Sequence, residues 1–480
     1  STALVPLTAA AEEGDRHHRP EEEILVTARP YAQAVDAALQ MGTILQGEDL
    51  AARVEGTLGE TLAGLPGVSS TYFGPGASRP VIRGLGGERV RVLSGGIGSI
   101  DAASISPDHA VALEPLAAER IEILRGPATL LYGSSAVGGV VNVLDGRIPT
   151  AVPEGGAKGG VQALYGTAAD ERAVAAAATV GVGQLVFHVD GRYRKTGDLD
   201  IPGFAESKRL RALEEEEHDH DEEDHDHDEE ELAFGTLPNS ATKTKNGAVG
   251  ASYVWDSGFF GVSYSRNDQF YGVPGHFHAH EHEHEEEEHE EHEEEQGDVR
   301  IDLVQDRFDL MGEVRGDFLI FEKTKLRFGY ADYKHTELEG DEIGTVFENE
   351  GWEGRLELVQ RQQGNWRGAM GLQVTKRDFT AQGAEAFTPP SVTKNWGVFT
   401  VQEIALEPLT LEAGARFERV TVDADTLGLD RDFNLFSLSA GASVDLGGDW
   451  LLSATLTRSE RAPSAEELFS DGPHLATRAY

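Results

Sequence analysis

Two stretches of the chain concentrate side chains that ligate metals. The run GHFHAHEHEHEEEEHEEHEEEQGD, Gly275 to Asp298, sets His276, His278, His280, His282, His284, His289 and His292 among eleven glutamates and one aspartate. A second run, Glu214 to Glu231, places His218, His220, His225 and His227 among fourteen acids. Neither run contains Lys or Arg. Imidazole nitrogen plus carboxylate oxygen suits Zn²⁺ and its first-row neighbours, and near neutral pH most exposed imidazoles present a free lone pair. Affinity order alone would place Cu²⁺ above Zn²⁺, so the runs indicate a divalent transition metal rather than one ion. The plainer alternative is a solvated charge run. His280 to His284 also fits the letters of the H-E-x-x-H metalloprotease motif. That chemistry needs a rigid helix to set the two histidines one turn apart, and a low-complexity acidic run resists folding, so a protease site is rejected.

Composition narrows the classes. The chain has 480 residues and a formal net charge of −43, and the two runs hold 26 of its 84 acids. Nucleic acid is excluded as a partner, because binding phosphate requires clustered Lys and Arg. Concentrated negative charge instead raises the local concentration of cations. There is no cysteine, so any metal site is built from His, Asp and Glu, and an exported bacterial protein fits that composition. The opening STALVPLTAAA reads as the tail of a secretion signal or as an ordinary flexible terminus. The most apolar window, Ala173 to Val189, is broken by Gly181, Gly183 and Gln184 and reads as two strands joined by a tight turn, not a membrane helix. GLGGER lacks the strand and long helix of a dinucleotide site. With no Ser/His/Asp set either, neither enzyme activity nor a catalytic cofactor is expected.

The elements that must position these ligands are strands. From about residue 157 the apolar period is two: Leu409, Leu411, Ala413, Ala415 and Phe417 alternate with Thr410, Glu412, Gly414, Arg416 and Glu418. About thirteen such strands of 9–13 residues are expected, joined alternately by short turns and long polar connections, which fits an antiparallel outer-membrane β-barrel. Trp255, Trp366, Trp396 and Trp450 fit an interfacial girdle. A soluble β-sandwich would also alternate, but thirteen consecutive hairpin strands exceed one sandwich. Single-chain bacterial barrels have even strand numbers, so a partial barrel is expected. Residues 31–150, rich in Gly and Pro with mixed short helices and strands, read as a separate compact unit in front.

RPVIRGLGGERVRVLSGGI, ERIEILRGPATLLYGSSAVGGVVNVL and SERAPSAEELFSDGPHLAT resemble the signatures of TonB-dependent outer-membrane receptors. The resemblance implies a mainly β architecture, with an N-terminal α+β plug inside a transmembrane antiparallel barrel of 22 strands in the full protein. It divides the chain into a signal remnant (1–20), a TonB box (21–30), a plug (31–150) and a partial barrel (151–480) with external His/Asp/Glu-rich loops near 205–240 and 275–298. It implies that Ile24, Leu25, Val26, Thr27 and Ala28 add as a strand to the sheet edge of a TonB-type periplasmic energy-coupling protein. Outer-membrane lipid is the other expected partner.

The acid- and His-rich loops and SPDHAVALEPLAAERIEILRGP resemble the zinc-uptake branch of these receptors, which implies zinc as the transported ligand. The resemblance marks His109, with Asp108 beside it, as a metal ligand on a plug loop; a lone His is otherwise a surface residue. In LRFGYADYKHTELEGDE, Leu326, Phe328 and Tyr330 read as lipid-facing. Arg327, Tyr333, His335, Glu337 and Glu339 then face the lumen. His335, Glu337 and Glu339, with Asp341 following, would present ligands to one side about 6–7 Å apart. The same residues also fit a solvated acidic loop end, and a bulge would reverse their parity. His474 lies in a general receptor motif and is kept as a weaker candidate. Two alternatives remain: a haem or siderophore receptor of the same architecture, and a metal-binding surface protein. A plug with a coupling segment disfavours the second.

Overall fold

The computed structural model describes residues 42–125, 127–209, 211–212, 233–275, 298–340, 342–384, 386–448 and 450–471. The first unit is small and mixed. Strands β1 (Thr43–Gln46), β2 (Val68–Ser70), β3 (Pro80–Ile82), β4 (Val90–Ser94), β5 (Ile97–Gly98), β6 (Arg120–Leu124) and β7 (Gly139–Leu144) accompany two one-turn helices, α1 (Gly47–Ala51) and α2 (Leu58–Leu62). Five of the strands form a sheet in the order β1-β6-β7-β4-β5, parallel only between β4 and β7. Leu45, Leu58, Leu62, Ile82, Ile121, Ile123, Val141 and Val143 close its core. Leu58 and Leu62 come from a helix too short to persist alone, so packing on the sheet holds it.

Strand alternation then takes over. Strands β8 (Ala157–Gly166), β9 (Glu171–Val182) and β10 (Leu185–Lys195) begin a 13-stranded antiparallel sheet. After a side hairpin, β11 (Leu199–Phe204) and β12 (Phe234–Leu237), the sheet resumes with β13 (Thr242–Trp255), β14 (Gly258–Gly272), β15 (Val299–Phe318), β16 (Phe321–Glu339) and β17 (Glu342–Gln360). It ends with β18 (Trp366–Gly383), β19 (Ser391–Leu406), β20 (Leu409–Ala424), β21 (Leu429–Gly447) and β22 (Trp450–Arg458). Every neighbour in this sheet is the next strand of the sheet in sequence, as meander hairpins require. Nine of the thirteen run longer than the expected 9–13 residues, and β15 has 20. The sequence estimate followed only the clean apolar alternation, whereas the strands continue past it into polar ends. No helix among the described residues is long and apolar enough to cross a membrane.

One face of the sheet is apolar and open: Val189, Val249, Phe260, Leu326, Leu372, Val398 and Leu438 are exposed. That exposure is what a lipid-facing wall requires. Trp255, Trp366 and Trp450 sit at the short-turn end of their strands, whereas Trp396 exposes itself further along β19. The other face packs on the first unit. Leu93, Leu124, Leu131, Tyr132 and Val140 meet Val359, Ala369, Phe399 and Val401 of the sheet. Thr242 pairs with Tyr271 and Gly272 with Arg300, so the connections 196–241 and 273–298 leave the sheet at the same end. The two His-rich runs fall within these connections, outside the described residues.

Candidate metal centre at the plug–barrel contact

Strand β16 keeps the parity that its sequence suggests, in unbroken register with β15 as far as Glu339. Ala331, Tyr333, His335 and Glu337 are buried against the inner unit, while Leu326 is exposed on the far face. His335 pairs with Leu303, four residues into β15 from Val299, so this inner surface lies just below the end that carries the long connections. The facing segment, residues 101–112, is irregular and is held by side chains rather than by a ladder. Asp101 accepts the Ala103 N–H (3.2 Å) and the Ala112 N–H (3.1 Å). The barrel grips the same segment. The Asn349 amide donates to Asp101 O (2.7 Å), and the Gln305 amide donates to Ser99 O (3.1 Å) and Ile100 O (3.0 Å). Tyr271 accepts the Ala110 N–H at 2.9 Å and donates to Asp108 O at 3.0 Å. Gly76 permits that approach, since a Cβ there would lie 2.5 Å from the Tyr271 ring.

His109 is thereby pressed against β16. The ligand atoms of His109, His335 and Glu337 all lie within 4.8 Å of one another, and all three residues are buried. His109 Nε2 is 3.3 Å from Glu337 Oε1, and His335 Nε2 is 3.6 Å from the same oxygen. The two imidazole centroids are 4.2 Å apart at 73°, and the Phe347 ring covers both at 4.9 and 4.6 Å. An apolar collar of Ala77, Ala102, Ala110, Val273, Val299, Ile301 and Leu303 surrounds the group.

The tautomers follow from the neighbours. His109 Nδ1 is 3.1 Å from the carbonyl of Ala102, which can only accept, so Nδ1 carries a hydrogen. The Nε2 of a neutral ring is then bare and faces the Glu337 carboxylate. Two lone pairs across 3.3 Å repel, so a positive charge belongs between them, either a proton or a metal ion. Burial pushes the His109 imidazole toward its neutral form, but the Asp108 and Glu337 carboxylates outweigh burial and raise its pKa above 6.5. His335 Nδ1 shares a 2.8 Å hydrogen bond with the Tyr333 hydroxyl, while its Nε2 is buried without a hydrogen-bond partner among the described residues. With the imidazole as donor to Tyr333, that Nε2 presents a lone pair to the centre.

Among the described residues, three of the candidates come together, His109, His335 and Glu337, and Asp108 and Glu339 do not join them. Asp108 is buried next to His109, but its carboxylate accepts from the Ser106 hydroxyl and adds charge rather than a fourth donor to the group. Glu339 does not join the group. The β16–β17 register shifts between Glu337 and Leu338, leaving Gly344 as the extra residue of β17, while β16 stays in unbroken register with β15 as far as Glu339. The Glu339 carboxylate lies beside Gly344, where a Cβ would fall 2.2 Å from it. Asp341, His474, the loop histidines His218 to His292 and the segment Ile24 to Ala28 lie outside the described residues. The sequence reading missed Tyr271 and Phe347. It had placed Tyr333 on the inner face without assigning it the His335 hydrogen bond.

Two further polar groups line the contact. Arg355–Glu357 (2.7 Å), Arg416–Glu418 (2.7 Å) and Arg91–Glu353 (2.6 Å) form a ladder of buried ion pairs, with Arg355 stacked 4.5 Å from both Tyr132 and Phe399. The signal for it was Arg-x-Glu in the RLE and RFE triplets, which places both charges on one strand face. On β9 and β10, Thr179 Oγ1 lies 2.8 Å from His188 Nδ1, and His188 Nε2 lies 2.9 Å from Asp190. This chain resembles a catalytic relay, but the Thr179 hydroxyl belongs to a residue only 2% exposed, and Asp190 is clasped by Arg192 and Arg147. It anchors the end of the inner unit to the wall.

Known proteins match both units. Residues 35–140 match the TonB-dependent receptor plug domain, and residues 224–480 match the TonB-dependent receptor-like β-barrel. The iron-regulated outer membrane virulence protein of Vibrio cholerae serotype O1 is 34% identical over 133 residues, which cover 26% of this chain and 20% of that protein. Among solved structures, the copper transporter OprC superposes with a TM-score of 0.67 at 16% identity, covering 88% of this chain and 64% of that one. The FrpB iron transporter of Neisseria meningitidis gives 0.66 at 11% (89% and 67% covered). The haemophore receptor HasR of Serratia marcescens gives 0.69 at 13% (91% and 66% covered). The chain therefore spans about two thirds of the length of these solved receptors. With a plug model and a barrel model that alone takes in more than half of its residues, the chain belongs to the TonB-dependent receptors of the outer membrane.

Proposed function

We propose that this receptor imports a divalent transition metal, zinc in the first place, across the bacterial outer membrane. The observation that carries the reading is the buried group His109, His335 and Glu337, one ligand from the plug and two from the barrel wall. Two imidazoles and a carboxylate are a known zinc donor set that leaves a position open. The same set also suits Fe²⁺, and Cu²⁺ binds such donors more tightly, so the set gives the class of ion more firmly than its identity. The His-rich connections support zinc as collectors: many weak imidazole and carboxylate sites at the mouth would raise the ion concentration above one tight site. Ile24 to Ala28 are proposed as the strand that a TonB-type protein grips to deliver energy from the inner membrane.

A haem receptor is the competing reading. The two imidazole centroids stand 4.2 Å apart, which leaves no room for a macrocycle between them. The test is the metal content of the full-length receptor, with zinc, iron and copper offered in competition, for wild type and His109→Ala. One equivalent of tightly held zinc that His109→Ala loses supports the reading. No bound metal, or metal unaffected by the substitution, rejects it. In cells, a strain lacking the receptor should grow poorly under zinc chelation and recover with excess zinc. Normal growth under chelation with failure on haem iron would favour the competing reading.

A further inference from the structure

Which ion the buried group prefers depends on how many further ligands can reach it, and the side chains around it set that number. Strand register fixes the walls. Phe347 of β17 stands directly opposite His335, while on the other side Leu303 and Ile301 of β15 stand opposite His335 and Glu337. The Phe347 ring centroid is 4.6 Å from that of His335 and 4.9 Å from that of His109. Phe347 is 1% exposed and is itself held by Phe379, Ala381 and Ile105. At the density of a protein interior a ring packed in this way keeps its place. The hydroxyls nearby are engaged. Tyr333 bonds His335, Tyr271 bonds the backbone of Asp108 and Ala110, and Thr345, opposite Glu337, is not free either. Among the described residues the group therefore offers three donors, and hydrocarbon closes most of the space beside them.

We propose that Phe347 is the residue that sets ion selectivity: its ring leaves room for one ligand beyond the three donors and shuts out ions that need more. This deepens the metal reading above and rests on it. Zn²⁺ is satisfied by four ligands in a tetrahedron, so three protein donors and one further ligand complete it. Mn²⁺ and Ni²⁺ favour octahedral or tetragonal surroundings, and Fe²⁺ on two imidazoles and a carboxylate keeps several positions open for other ligands. Each of those ions would have to place oxygen ligands where Phe347, Leu303 and Ile301 stand. The spacing of the donors agrees. In a tetrahedral site with bonds of about 2.0–2.1 Å, donors stand about 3.4 Å apart. Glu337 Oε1 is 3.3 Å from His109 Nε2 and 3.6 Å from His335 Nε2. Donor chemistry alone fits zinc and ferrous iron equally; the ring is what separates them.

Cobalt(II) spectroscopy and ion competition on the full-length receptor test this. Cobalt absorbs strongly in the visible when four-coordinate and weakly when six-coordinate. Wild type loaded with cobalt should give the strong, four-coordinate spectrum, and zinc should displace nickel and manganese. Phe347→Ala should move cobalt toward the weak spectrum. It should also lower the preference for zinc over nickel by about tenfold or more, the scale of changes around a metal site. Phe347→Leu, which opens less space, should fall between. A ratio of affinities cancels any loss that a substitution causes for all ions alike. A six-coordinate spectrum in wild type, or a spectrum and preference unmoved by both variants, overturns the proposal; the metal reading still stands if His109→Ala abolishes zinc binding. Zinc binding that is absent, or unchanged in His109→Ala, removes the metal reading and this proposal with it. Should Phe347→Ala fail to fold, the wild-type spectrum and Phe347→Leu decide.

Discussion

The plug meets the barrel through two kinds of buried polar contact, and they differ in what they leave undone. The ladder of Arg355–Glu357 and Arg416–Glu418 on the wall, tied to the plug by Arg91–Glu353, is closed in charge: each carboxylate has a guanidinium at 2.6 to 2.7 Å, although Arg91 Nε and Arg416 Nη1 find no hydrogen-bond partner among the described residues. The group of His109, His335 and Glu337 is just as buried but open, with an imidazole nitrogen left over and a lone pair facing a carboxylate. Guanidinium always carries its charge and cannot accept, so its pairs neutralise themselves and hold position. Imidazole can give up its proton and present a lone pair, so the same burial creates a place for a cation. On the proposed metal reading, the difference separates a fastening from a binding site within one interface.

Breaking each contact should give opposite signatures. The largest expected effect is Glu418→Ala, which leaves Arg416 buried with its charge uncompensated. It should destabilise plug seating by about 3–5 kcal/mol, read as a lower urea midpoint with faster hydrogen exchange of β4 and β7, while zinc affinity in the folded fraction stays unchanged. Next, His335→Ala or Glu337→Ala should lower zinc affinity by more than about 100-fold, since even outer-shell changes at metal sites cost about 10- to 100-fold. The urea midpoint without metal should move little; a collapse of stability would merge the two contacts into one kind. Tyr333→Phe sharpens the contrast at smaller scale. It removes the oxygen that orients His335, and an affinity loss of about tenfold is expected by calorimetry with the fold intact.

Proton competition is the mildest handle. His109 holds its proton to a higher pH than a free imidazole, because Asp108 and Glu337 outweigh its burial. A proton on Nε2 must leave before an ion can bind. Zinc affinity should therefore begin to fall while pH is still above 6.5 and keep falling as the solution is acidified. Binding measured in buffers of different ionisation enthalpy should report proton release on the alkaline side of that range to be smaller than within it. Affinity that is flat through this window would remove His109 from the ligand set. Without metal, the raised pKa makes the opposite contribution to folding, present below 6.5 and lost as pH rises through the folded value.

Much of this was legible in the sequence. The thirteen strands follow from two-residue alternation, because a wall with lipid on one face and a filled interior on the other imposes that period on every strand. The inward positions of Tyr333, His335 and Glu337 follow from the same parity. Parity does not say where the Glu339 carboxylate goes: it lies beside Gly344, the extra residue of β17, and counting on β16 alone cannot detect an insertion in β17. Tyr271 and Phe347 were missed for a related reason: their roles depend on which plug residue faces them, across 161 positions from Tyr271 to Ala110. The closed ladder could have been found, since Arg355 and Glu357, like Arg416 and Glu418, stand two apart.

The metal group draws its donors from positions 228 residues apart in the chain, His109 and Glu337. Neither the isolated plug nor the isolated wall contains the full set, so the group exists only after the two have been assembled. Any ion it holds is therefore linked to that assembly. At a free concentration of a hundred times its dissociation constant, such an ion would favour the assembled state by about 2.7 kcal/mol over any state that lacks the set. A plug drawn out of the barrel would surrender that same free energy, so the work needed to unseat it would rise when the receptor is loaded.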